Sequence, residues 1–262
     1  MSTSEKKDYA PRTVQAVGHA TALLREIASA SAPPTLSALA RKLGLSKPAT
    51  YNLLNTLIAE RLVDKDPSGR YTIAWAMYEL GAAVSEAQVV RRAARPALYR
   101  LADETGGSVL LSVLDRESVL YIDREELSGD FRMIANTGRR SPLHTNASGK
   151  VLLANMSSGG VGTYLSRPLK PKTASTITDP RRLLTELNEA KDEGYGVCWG
   201  EHEPLLSSVA VPLATADGVV RGSIAVAVTT ERLKKISPSR LVTRMRNAAQ
   251  EAAAEYARLA TR

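Results

Sequence analysis

The side chains whose types and spacing best suit chemistry lie in the stretch KPATYNLLNTLIA, starting at Lys47. Lys47, Tyr51 and Asn55 recur every four residues, with Thr50 and Asn52 beside them. At helical spacing they share a cationic face rich in hydrogen-bonding groups. Such a face suits the major groove of DNA, where base edges present donors, acceptors and methyl groups. Ser46 is placed to cap this helix and is counted with the DNA-facing residues, and Pro48 sits in its first turn, where a missing N–H costs little. Ala49, Leu53 and Leu57 are expected to face inward. Upstream, Thr35 caps a shorter helix with an apolar stripe of Leu36, Leu39, Ala40 and Leu43, ended by Gly44. Downstream, two short extended runs flank Asp66-Pro67-Ser68-Gly69, a turn composition. A hairpin beside two such helices makes a winged helix, with Lys65 and Arg70 as phosphate or minor-groove contacts.

Other reactive groups have weaker patterns. Gly149-Lys150 lacks the glycine five residues upstream, where His144 stands, and the hydroxyl residue after Lys, where Val151 stands. It is therefore not a phosphate loop. Ser148 has no Gly-x-Ser-x-Gly frame and no assignable His or Asp partner, so no catalytic residue is expected. His144, Cys198, Glu201, His202 and Glu203 are ligand types without HExxH or paired CxxC spacing. No metal and no cofactor are expected, and Glu201 and His202 are assigned to hydrogen bonding and packing.

These groups need elements to hold them. Val14 to Ser29 reads as an amphipathic helix, and Trp75 to Val90 as a linker helix. After it, Ala97–Thr105, Leu183–Glu193 and Ser239–Leu259 read as helices. Val109–Leu114, Val119–Asp123, Arg132–Ala135, Val209–Leu213 and Gly222–Thr229 read as strands. Meandering strands with flanking helices indicate an α+β second domain. The expected division is a disordered tail (1–12), a winged helix-turn-helix (13–75), a linker helix (76–95) and a second domain (96–262).

The chain has 262 residues, is 44% hydrophobic and carries a net charge of +8, which suits an anionic partner. No apolar run is long enough to span a membrane. A polar start and a single cysteine, Cys198, fit the reducing cytoplasm.

The chain resembles the IclR family of bacterial transcription regulators. The carrying residues are Leu36–Ala40, Gly44–Lys47 and Leu53–Leu57. In the second half they are Gly138-Arg139-Arg140-Ser141-Pro142-Leu143-His144 running into Ala147–Lys150, then Thr176–Asp179, Gly194–Gly196 and Val209–Pro212. The resemblance implies an N-terminal winged helix and a C-terminal GAF/profilin-like effector domain with a mainly antiparallel sheet. It implies dimers or dimers of dimers on a palindromic double-stranded operator. It also implies a small-molecule effector, here a small organic acid, and control of a catabolic operon as repressor, activator or dual regulator, of which repression is expected. Carried over by position, Phe131 and Met133 line one wall of the effector pocket. Ala147, Ser148 and Gly149 form a loop whose N–H groups hold a carboxylate. Cys198, Leu206 and Ser208 stand opposite, with Ala225 and Ala227 on the last strand. The chain has Cys198 where some relatives are acidic, Leu205 where Gly is common and Asn52 where Arg is common. The first two changes, with small residues around them, favour an aromatic or longer-chain acid.

Overall fold

The computed structural model describes residues 13–126 and 137–260, which divide into two compact units between Val84 and Ser85. The expected tail 1–12 and the expected strand Arg132–Ala135 lie outside the described residues.

The first unit contains α1 (Gln15–Ser29), α2 (Leu36–Leu43), α3 (Lys47–Ala59), β1 (Val63–Lys65), β2 (Tyr71–Ile73) and α4 (Ala76–Ala82). Thr35 and Ser46 cap α2 and α3 with their side-chain oxygens, and Gly44 ends α2 at φ +65°. Its core is Leu23, Ile27, Leu39, Leu54, Leu57, Val63 and Tyr71. The buried stripe of α3 is Thr50, Leu54 and Leu57, whereas Ala49 is exposed and Leu53 half-buried. The inward face is thus rotated from the expected Ala49, Leu53 and Leu57. A threonine can lie inside because its hydroxyl donates to the Ser46 carbonyl at 2.9 Å. The expected single helix over 75–90 is also corrected: it breaks at Ala83–Val84. The later part joins Ala97–Thr105 in one helix, α5 (Ser85–Thr105), with Pro96 inside it.

The second unit continues with β3 (Ser108–Asp115), β4 (Ser118–Glu125), β5 (Arg140–Pro142), a 3-10 turn (Leu143–Thr145), α6 (Ala147–Ala154) and α7 (Ser158–Leu165). Then come α8 (Pro180–Glu193), β6 (Gly196–Trp199), β7 (Leu206–Ala214), β8 (Val220–Thr229), α9 (Thr230–Ile236) and α10 (Pro238–Ala260). The antiparallel sheet has the order β5-β4-β3-β8-β7-β6. Alternation sorts its side chains onto two faces. Val109, Leu111, Val209, Val211, Ile224 and Val226 pack on α5 and α10. Leu110, Tyr121, Cys198, Ala210, Ala225 and Ala227 face α6, α7 and α8. The second face has smaller side chains, and the cavity lies there.

Candidate functional sites

On α3, Lys47, Tyr51, Asn52 and Asn55 are exposed. Ser46 is exposed too, but its oxygen accepts the Ala49 N–H at 3.3 Å and so caps the helix. Thr50 is fully buried and is removed from the set of DNA-facing residues. The wing is built around Asp66, which accepts from the Ser68 hydroxyl at 2.7 Å and from the Arg70 N–H at 2.9 Å. Those two bonds hold its carboxyl below the usual range. Gly69, at φ +78°, closes the turn. Lys65 and Arg70 are exposed on the wing strands or beside them. The Lys65 ammonium lies 5.7 Å from the Tyr71 ring centroid. Arg70 reaches the Pro33 carbonyl at 3.4 Å, which ties the wing to the segment before α2.

In the second unit a cavity of about 230 Å³ lies between the sheet and the start of α6. Cross-strand register explains its floor. Cys198 pairs with Ser208 and Ser208 with Ala227, and in a neighbouring row Ala225 pairs with Leu110. These small side chains leave the space that larger ones would fill. The wall is Leu206, Tyr121, Ser141 and Pro142, the roof includes Asn146 and Ser148, and the loop after β6 adds His202 and Glu203. Arg139, Arg140 and Lys172 also line it and are exposed.

Ala147 and Ser148, expected in a loop, form the first turn of α6. Asn146 caps that turn: its side-chain oxygen accepts the Gly149 N–H at 2.8 Å, and its amide donates to the Pro142 carbonyl at 2.9 Å. A Cβ on Gly149 would lie 2.1 Å from the Leu143 carbonyl oxygen, so only glycine lets α6 approach that turn. Lys150 is 1% exposed and points away into a triad. Its ammonium lies 2.5 Å from Glu186, 2.7 Å from Glu201 and 3.2 Å from the Val197 carbonyl.

The buried polar groups of the lining, Tyr121, Cys198 and His202, sit beside the ionisable Glu203, Arg139, Arg140 and Lys172. Burial pushes the Tyr121 phenol well above its ordinary value. Burial, with Glu201 nearby, pushes the Cys198 thiol up to about 11. Burial, with the Lys172 charge, holds His202 below its ordinary value. The His202 Nδ1 lies 3.0 Å from the Thr145 hydroxyl and 3.3 Å from that of Ser141. The Ser148 hydroxyl is buried and has no hydrogen-bond partner among the described residues. An orphan oxygen at a helix start beside a cavity is an unmet demand for a ligand or water.

Six of the expected effector residues line the cavity: Ser148, Cys198, Leu206, Ser208, Ala225 and Ala227. Ala147 and Gly149 are buried behind it, and Phe131 and Met133 lie outside the described residues. Tyr121, Ser141, Asn146 and His202 were missed. Asn146 carried a signal, as a cap three residues before Gly149; Ser141 carried none. No group of three or more His, Cys, Asp or Glu suited to a metal occurs among the described residues. No described helix is long and apolar enough to cross a membrane.

Two family profiles match the chain. "IclR helix-turn-helix domain" covers residues 16–67 and "Bacterial transcriptional regulator IclR C-terminal" covers residues 82–254. The HTH-type transcriptional regulator KdgR of Dickeya chrysanthemi is 30% identical over 217 residues, 82% of this chain and 71% of that one. The HTH-type transcriptional repressor AllR of Salmonella paratyphi A is 28% identical over 226 residues, 86% and 83% of the two chains. The structure of an IclR homolog from Microbacterium hydrocarbonoxydans, complexed with 4-hydroxybenzoate, superposes with a TM-score of 0.82. It is 22% identical, and the match covers 92% of this chain and 98% of that one.

Proposed function

We propose that this chain, which belongs to the IclR family of bacterial transcriptional regulators, is a cytoplasmic repressor released from its operator by a small organic acid. The carrying observation is the cavity: about 230 Å³, apolar in its floor, with the unpartnered Ser148 hydroxyl at the start of α6. An apolar space of roughly 150 Å³ is enough for a benzene ring. The volume here suits a ring with a carboxylate, and a homologue of the same fold holds 4-hydroxybenzoate. Helix-start N–H groups favour an anion, and exposed Arg139 and Lys172 beside the cavity favour its entry.

The exposed face of α3 docks in the major groove through Lys47, Tyr51, Asn52 and Asn55, and Lys65 and Arg70 meet phosphates. The protein acts as a homodimer or dimer of dimers on a palindromic operator. The effector changes the fit to half-site spacing by no more than its differential affinity for the two arrangements.

The test is thermal unfolding of the full chain with benzoate, 4-hydroxybenzoate and short-chain acids. An acid at about 100 times its Kd adds about 2.7 kcal/mol to the unit that binds it. Ser148→Trp and Ala227→Trp fill the cavity and remove the shift. A shift that survives both places the ligand elsewhere and rejects the reading, as does no shift from any acid.

A further inference from the structure

We infer that, in each operator half-site, the base pairs under Asn52 and Asn55 are A·T, with the two amides on adenine. The inference rests on α3 being the recognition helix, as proposed above. Each residue turns an α-helix by about 100°. Asn52 and Asn55 therefore stand roughly 200° and 140° around from buried Thr50, and they straddle the line opposite the core. Both are exposed. Neither side-chain amide makes a hydrogen bond within the described residues. They are three residues apart and so are surface neighbours placed for adjacent base pairs.

The chemistry of the amide selects the base. Adenine offers an N7 acceptor beside an N6 donor in the major groove, the mirror of an asparagine's donor and acceptor. Guanine offers two acceptors and needs two donors, the fork that arginine supplies. The α3 sequence, KPATYNLLNTLIA, contains no arginine, and its single cation, Lys47, stands at the first position. Tyr51, 48% exposed, adds ring surface beside Asn52 for a thymine methyl.

The test is selection of sites by the full-length protein from a randomised duplex pool, with wild type, Asn52→Ala and Asn52→Arg in parallel. Wild type enriches half-sites with A at the position read by Asn52. Asn52→Arg converts that one position to G and leaves the others alone. Replacing that adenine by 7-deazaadenine weakens wild-type binding about tenfold and leaves Asn52→Ala unchanged. A fixed G at that position in wild-type sites, or an unaltered preference in Asn52→Arg, overturns the inference. If Lys47→Ala and Asn52→Arg both leave affinity and its salt dependence unchanged, α3 does not face DNA. In that case the recognition-helix reading falls and takes the inference with it.

Discussion

Replacing Lys150 by methionine tests the buried triad that anchors the cavity loop. The Lys150 ammonium lies 2.7 Å from Glu201, and their side chains are 1% and 5% exposed. At an effective dielectric of about 20 the attraction at this distance is about 6 kcal/mol. Taking each ion out of water costs several kcal/mol, so the intact pair contributes little net stability. The balance changes when one partner goes. Lys150→Met leaves the Glu201 carboxylate buried beside the Trp199 N–H alone, 3.3 Å away. That costs roughly 3–5 kcal/mol at pH 7. Glu186, with a side chain 32% exposed, turns to water at little cost.

The pH dependence supplies the sign. Burial already holds the Glu201 carboxyl above its ordinary range, with Lys150 opposing the rise. Without Lys150 the folded state binds the Glu201 proton more tightly than the unfolded chain. Folding then takes up a proton, so stability falls as pH rises through the raised pKa and is regained toward pH 5. In the wild type the raised Lys150 pKa keeps its contribution until strongly alkaline pH. A Trp75→Phe background leaves Trp199 as the sole tryptophan, next to the triad, to report urea unfolding of the second unit. The double variant Lys150→Met with Glu201→Gln recovers most of the loss. A Lys150→Met cost under about 1 kcal/mol, or stability that rises with pH between 5 and 7, refutes the reasoning.

Two further outcomes follow from local geometry. Lys47→Ala lowers the slope of log affinity against log salt by about 0.9 if the ammonium neutralises one phosphate. Fluorescence anisotropy on a selected site measures that slope, and Thr50→Val, being buried, leaves it unchanged. Gly149→Ala drives a methyl into the Leu143 carbonyl, where backbone cannot yield. It destabilises the second unit by about 3 kcal/mol or more, and Trp199 unfolding near the wild-type midpoint contradicts this.

Much of the DNA-binding unit was legible because local chemistry marks its boundaries. Thr35, Gly44 and Ser46 sit at caps, and Pro67 and Gly69 sit in the wing turn. The rotation of α3 was misread because a buried threonine looks polar in sequence, and its Ser46 bond shows only in three dimensions. The second unit was legible where strands are long apolar runs buried on both faces, as in β7 and β8. It was opaque at α6, whose residues Ala147 to Ala154 are all buried and so show no amphipathic period. β5 and β6 are too short to announce themselves, and α7 begins SGGVG. The break at Ala83–Val84 has no proline or glycine at either position. The cavity floor was reached by carrying Cys198, Ser208, Ala225 and Ala227 over by position from the family resemblance. Tyr121, Ser141 and His202 were not, because only long-range register and loop packing bring them there.

The hydrogen bonds around the cavity also constrain what Ser148 can do. Ser148 is the one hydroxyl at the helix start with an unused oxygen. To act as a nucleophile it would need a base within hydrogen-bond reach. Among the described residues, the nearby histidines, Lys150 and Cys198 are already engaged. His144 holds the Tyr164 hydroxyl at 2.7 Å with Nδ1 and the Lys170 carbonyl at 3.1 Å with Nε2. His202 is held by Thr145 and Ser141. Lys150 is shared among Glu186, Glu201 and the Val197 carbonyl. Burial keeps the Cys198 thiol protonated, and it points to the Thr145 carbonyl at 3.4 Å. These bonds hold His144, His202, Lys150 and Cys198 in place, and Glu203 with Arg139, Arg140 and Lys172 adds ionisable groups to the cavity lining.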